Sequence, residues 1–216
     1  MNPKSWQSVL EEVLALAAPA LQSAETRWAV VGSVATALQG CQIAPNDIDI
    51  LTLKPEGVQH FAKLMAAYTP QNAPPPENHT EWHSSLAEPV SAGPDDYGYY
   101  WYFARWIIAG VKVEVAHIIG PPITLPTSQT GAGMWEAGPE IWAHIREVNF
   151  RGYLTPVVPL EIQLQTNLAR GLEQRITEII SVLQREGYDR ALLERALSHK
   201  HREPFERLLA THASEQ

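Results

Sequence analysis

Two short runs decide how this chain folds: Arg27-Trp28-Ala29-Val30-Val31-Gly32-Ser33 and Asp47-Ile48-Asp49-Ile50-Leu51-Thr52-Leu53. The first is a short buried strand closed by Gly-Ser, and Val34 to Leu38 then open a helix that stops at Gly40. The second alternates acid with apolar residue before turning strongly β-prone. Alternate side chains of a strand share a face, so Asp47 and Asp49 project together while Ile48 and Ile50 enter the core. Two carboxylates ~4 Å apart, at an effective dielectric of about 20, repel by on the order of 4 kcal/mol. A divalent cation offsets that repulsion directly; exposure of both acids at a strand start is the plainer alternative. Gly32 permits a tight turn and close backbone approach, and the N–H groups opening the next helix favour an anion, with the Ser33 hydroxyl as one more donor. Turn and cap chemistry alone also accounts for a Gly-Ser pair.

Outward from these runs the pattern is α/β for the first two-thirds of the chain and helical for the rest. Trp6 to Leu21 carries apolar residues at helical spacing with a broad apolar face. Pro55 starts a helix bearing Val58, Phe61, Leu64 and Met65 that ends by Pro70. Pro70 to Pro94 reads as a long loop with one short strand near Trp82. Tyr97 to Ile108 and Val111 to Ile119 flank Ala109-Gly110 and predict a hairpin. Gly120 to Gly138 reads as irregular, and a second hairpin runs from Ile145 to Val158 about Arg151-Gly152. From Pro159 the apolar positions Leu160, Leu164, Leu168, Ile176, Ile179, Ile180 and Leu183 are helical, and a last helical pair holds Leu192, Leu193, Leu197, Leu208 and Leu209. The expected division is a core over residues 1–158 and a helical region over 159–216.

A third acid lies in the hairpin. In Val111-Lys112-Val113-Glu114-Val115-Ala116, Val113 and Val115 take one face and Lys112 and Glu114 the other. A solvated strand face explains this by itself. If the strand lies beside Asp47–Leu53, three carboxylates converge next to an anion-binding turn, a hard-oxygen platform suited to Mg²⁺ bridging protein and phosphate. Glu136 is the alternative third acid. Other candidates have plainer readings. His79 and His83 have a metal-ligand spacing, but the prolines around them oppose a helix. His199 and His201 read as exposed, Cys41 as a small, partly buried residue, and Trp135 and Trp142 as packing residues. The aromatics from Tyr97 to Trp106 can stack a base or sugar ring, though core packing is the commoner use of such a run.

Composition bounds the partners. Of 216 residues, 16 are Lys or Arg and 24 Asp or Glu, a formal net charge of −8 that argues against generic DNA coating. A single cysteine excludes an internal disulfide framework and suits a reducing compartment. The apolar run near Val9 is interrupted by Glu11, Glu12 and Pro19, too short and charged for a membrane span and lacking signal-peptide flanks. The expectation is a soluble, cytoplasmic protein.

Val30-Val31-Gly32-Ser33, a spacer of about a dozen residues, Asp47-Ile48-Asp49-Ile50 and then Val113-Glu114-Val115 together resemble the nucleotidyltransferase superfamily of the DNA polymerase β type. More narrowly they resemble its small bacterial members that modify antibiotics or belong to toxin–antitoxin pairs. The resemblance covers Trp28 to His117. It implies an α/β (α+β) fold with a short mixed β-sheet and a C-terminal helical bundle. It further implies that Gly32 and Ser33 hold the outer phosphates of a nucleoside triphosphate such as ATP, and that Asp47 and Asp49 ligate two Mg²⁺ ions. Glu114 would ligate one of these ions and help deprotonate an acceptor hydroxyl. The implied reaction is attack of that hydroxyl on the α-phosphate with loss of pyrophosphate; the acceptor is a small molecule, a protein side chain or an RNA 3′ end. Two departures stand out. Asn167 occupies the position of a family lysine, so Arg170 or Arg175 would serve the triphosphate, and Ile43-Ala44-Pro45-Asn46 replaces an Arg-x-Thr-x pattern. They leave a second reading open, a nucleotidyltransferase-like module that binds nucleotide or a protein partner without catalysis, as an antitoxin does.

Overall fold

The computed structural model describes residues 4–72, 82–120, 131–203 and 205. A seven-stranded mixed sheet organises them: β1 (Trp28–Val31), β2 (Asp47–Thr52), β3 (Ser91–Pro94), β4 (Tyr100–Ile108), β5 (Val111–Ile119), β6 (Arg146–Phe150) and β7 (Tyr153–Val157), in the order β3-β4-β5-β2-β1-β7-β6. β2 runs parallel to β5 and β1 parallel to β7; the other neighbours are antiparallel. The described α-helices include α1 (Trp6–Ser23), α2 (Gly32–Leu38), α3 (Pro55–Leu64), α4 (Leu160–Arg170), α5 (Glu173–Glu186) and α6 (Arg190–Ala196). None of the described helices is long and apolar enough to cross a membrane.

Local chemistry explains most boundaries. The Ser5 side chain caps α1 by accepting from the Ser8 N–H, and Pro55 sits in the first turn of α3, where its missing N–H costs nothing. Both hairpins turn on two residues of positive φ, Ala109-Gly110 (49° and 89°) and Arg151-Gly152 (51° and 90°), which matches the twist of the flanking strands. The helical run after Pro159 is broken at Gly171, whose left-handed φ of 65° closes α4 before α5 begins.

Two elements depart from expectation. The short strand lies at Ser91–Pro94 rather than near Trp82, because residues 91–94 have a partner in Tyr100–Phe103 of β4. Trp82 is instead buried from a non-strand segment. His201 is half-buried and hydrogen-bonds Gln165 through Nδ1 at 2.9 Å, whereas His199 is exposed as read. His79, Leu208 and Leu209 lie outside the described residues.

The sheet separates two apolar layers. On one face α1, α3 and the turn that follows α3 pack Leu10, Leu14, Phe61 and Met65 against Ile48, Ile50, Val113, Val115 and Trp106. On the other, Val31, Leu51 and Ala116 meet Ile162 of α4, Leu192 and Ala196 of α6, and Met134. Period-two alternation therefore sends Ile48 and Ile50 into the first layer and leaves Asp47, Asp49 and Glu114 on the second face. Glu161 of α4, fully buried, accepts from Arg146 Nη2 at 2.8 Å and from the Asp189 N–H at 2.9 Å, tying α4 to β6 and to the start of α6.

Trp106 is 2% exposed and its indole N–H donates to Thr69 Oγ1 at 2.8 Å. Trp106→Ala is expected to destabilise the fold by about 3–5 kcal/mol, read as a lower urea midpoint at unchanged slope. A loss under about 1 kcal/mol would show that the indole does not anchor the first layer.

Candidate active site

The three expected acids meet. Parallel pairing of β2 with β5 sets Asp47 opposite Lys112 and Asp49 opposite Glu114, and antiparallel pairing of β5 with β4 sets Arg105 opposite Glu114. One carboxylate oxygen from each of Asp47, Asp49 and Glu114 lies within 4.8 Å of the other two. That donor set, three hard carboxylate oxygens of half-buried side chains, fits a divalent cation. Glu136 stands elsewhere in the same cleft and does not join this group.

Two cations already answer the acids. Arg105 Nε lies 2.6 Å from Glu114 Oε1, and Lys112 Nζ lies 3.3 Å from Glu114 Oε2 and 3.4 Å from Asp47 Oδ2. The face read as solvated is therefore an ion-pair network. Burial, then the charges of Asp47 and Glu114, raise the Asp49 carboxyl to about 7. Lys112 is held above its ordinary value by Glu114 and Asp47, against the opposing effect of burial.

The acids line a cleft of about 290 Å³. Gly32, Ser33, Trp101, Phe103, Trp135, Glu136, Arg170 and Arg175 also line it. Gly32 has φ of 63°, and a Cβ there would stand 2.8 Å from Asp49 Oδ2. Glycine is thus required twice, by the backbone and by the neighbouring acid. The Gly32 N–H, expected to face an anion, donates to Glu136 Oε2 at 3.2 Å. Glu136 is buried, and burial raises its carboxyl despite the Gly32 N–H and the charges of Arg170 and Arg175. The Ser33 hydroxyl is buried at the cleft wall with no hydrogen-bond partner among the described residues.

Other sequence candidates fall elsewhere. Asn167 is buried and donates to the Gln163 carbonyl at 2.7 Å, inside the α4 packing rather than in the cleft. Cys41 is buried, and burial pushes its thiol up to about 12, which makes it inert. Trp135, expected only to pack, lines the cleft and meets Tyr99 edge-on at 5.4 Å; Trp142 lies under Arg27, as a packing residue does. Of the aromatic run, Trp101 alone among Tyr97, Tyr99, Tyr100, Trp101, Tyr102 and Trp106 reaches the cleft wall. Arg105 and Lys112 went unread as site residues. The signal for both was positional: they stand opposite the acids once β2, β4 and β5 are placed side by side.

Solved structures show the same fold. A Thermotoga maritima protein provisionally named a nucleotidyltransferase superposes with a TM-score of 0.52 at 20% identity, over 85% of this chain and 97% of its own. The antibiotic-resistance factor ANT(2'')-Ia aligns over 96% of this chain and 99% of its own, but at 11% identity and a TM-score of 0.47 the superposition is too loose to add weight. No family model matches the chain, and no curated protein matches it by sequence. The chain therefore has the nucleotidyltransferase-like α/β fold that its motifs resemble.

Two outcomes follow from this geometry. Gly32→Ala should lower thermal stability and weaken divalent-ion binding together, because the added methyl strains the backbone and pushes Asp49 away; unchanged metal affinity by calorimetry would contradict the close approach. The folded chain keeps on Asp49, up to about pH 7, a proton that the unfolded chain releases near its ordinary value. Metal-free stability should consequently fall as pH rises through that window. A divalent ion binds the deprotonated form, so the rise in melting temperature on adding Mg²⁺ should be larger at pH 8 than at pH 5.5. An equal rise at both would refute it.

Proposed function

We propose that this protein is a divalent-metal-dependent nucleotidyltransferase that moves a nucleoside monophosphate from a nucleoside triphosphate to a hydroxyl acceptor. The observation that carries the reading is the meeting of Asp47, Asp49 and Glu114 within 4.8 Å, in a cleft that Arg170 and Arg175 also line. Acids and arginines lining one cleft suit a metal-bound triphosphate, which needs a metal platform for its reacting phosphorus and positive charge for its departing end.

Asp47 and Asp49 would hold the ion, Mg²⁺ by its preference for oxygen ligands, and Glu114 would complete the set. When bound, the ion would stabilise the attacking and leaving oxygens of an in-line displacement. The chain's own residues do the rest. Arg105 orients Glu114 through the 2.6 Å contact to Oε1, so the carboxylate that receives the acceptor's proton stands at a fixed place. Ser33, with an unspent buried hydroxyl, donates to a phosphate oxygen, and Gly32 keeps the backbone close to Asp49. Arg170 and Arg175 neutralise the pyrophosphate as it forms. The bond made joins the acceptor oxygen to the α-phosphorus, and the bond broken joins that phosphorus to the oxygen bridging to the β-phosphate. The proton passes from acceptor to Glu114.

The second reading, a nucleotide-binding or partner-binding module without catalysis, draws on one observation: Glu136 already takes the Gly32 N–H. One variant separates the two. Asp49→Asn removes a charge at unchanged size and should reduce nucleotidyl transfer by at least about a thousandfold, on the order of 4 kcal/mol of transition-state stabilisation, while circular dichroism and melting temperature stay intact or rise. Radiolabelled α-phosphate transfer to pooled small-molecule, protein and RNA acceptors is the assay. Retained full activity in the variant would end the assignment, and metal-independent nucleotide binding by an inactive wild type would favour the module.

A further inference from the structure

Lys112 occupies an unusual place for a strand-surface lysine. Its register partner on β2 is Asp47, and its ammonium stands 3.4 Å from Asp47 Oδ2 and 3.3 Å from Glu114 Oε2, bridging two of the three acids. The remaining oxygen of Glu114 is taken by Arg105, which is itself pinned: its guanidinium stacks 4.9 Å from the Phe103 ring and donates to the Trp82 carbonyl at 3.2 Å. Asp49 has no ion-pair partner among the described residues. A second ion bridging Asp47 and Glu114 would need the position of the Lys112 ammonium.

We propose that Lys112 stands in for one of the two divalent ions that the resemblance implies, so that a single ion, held by the three acids, completes the site around a triphosphate. This rests on the nucleotidyltransferase reading and deepens it. Charge supports it: Arg105 and Lys112 together carry what one divalent ion carries, so one ion plus these side chains gives the acids and the triphosphate the countercharge that two ions give without them. Geometry supports it as well, because an ammonium is a compact point charge with several donors and can bridge two carboxylates as an ion does. Lys112 is then a positioning residue that keeps Asp47 and Glu114 together without a second ion between them.

The test is the ratio of Mn²⁺ to nucleotide retained with the full chain in equilibrium dialysis, using the α,β-methylene analogues of ATP, GTP, CTP and UTP in turn. The wild type should retain about one Mn²⁺ per bound analogue. Lys112→Ala, which vacates the bridge, should retain about two, and Lys112→Arg, which keeps a cation there, should return to about one. A merely structural lysine would leave the ratio unmoved in all three. Two ions in the wild type, or one in Lys112→Ala, overturns the stand-in role while leaving the nucleotidyltransferase reading untouched. A wild type that retains no analogue with Mn²⁺ overturns that reading, and the stand-in role with it.

Discussion

Like charge held close is the constraint on which the rest depends. Parallel pairing of β2 with β5 forces Asp49 beside Glu114, and the strand period puts Asp47 on the same face. Each such pair costs on the order of 4 kcal/mol at ~4 Å and an effective dielectric of about 20. A fold concentrates that cost only where something offsets it. Here Arg105 and Lys112 offset part, and the proton retained by Asp49 offsets more. What is left is a site that gains from a cation and from a high enough pH to expose its charge.

The fold serves this juxtaposition. β2 and β5 are far apart in sequence yet adjacent in the sheet, and α3 lies on the face that receives Ile48, Ile50, Val113 and Val115. Among the described residues the opposite face is covered only in part. α4, α6 and Met134 close over Val31, Leu51 and Ala116 and stop short of the acids. The cleft lies beside this cover, and Arg170 and Arg175 line it because α4 ends at Gly171 and α5 begins at once.

The turn at Gly32 and Ser33 joins the two sides. Glycine there lets Asp49 approach, and the same residue hands its N–H to Glu136 from the segment that precedes β6. A buried carboxyl in a cleft lined by both acids and arginines makes it a place where added negative charge meets both help and competition. The Ser33 hydroxyl, without a hydrogen-bond partner among the described residues, lines the same cleft.

Short-range physics made much of this legible in the chain itself. Alternation in Asp47–Leu53 decided which face the acids take, Gly in the two hairpin turns decided where β4, β5, β6 and β7 fold back, and the Gly-Ser pair after an apolar run marked the turn. These features depend on residues a few positions apart, which sequence displays directly. Long-range register did not show. Whether Glu114 or Glu136 completed the acid set, whether Lys112 faced water or Asp47, and which of Asn167, Arg170 and Arg175 reached the cleft were all decided by strand order and helix docking. Each turns on one residue's position against another far away in the chain, and only packing of the whole sheet against its helices sets that distance.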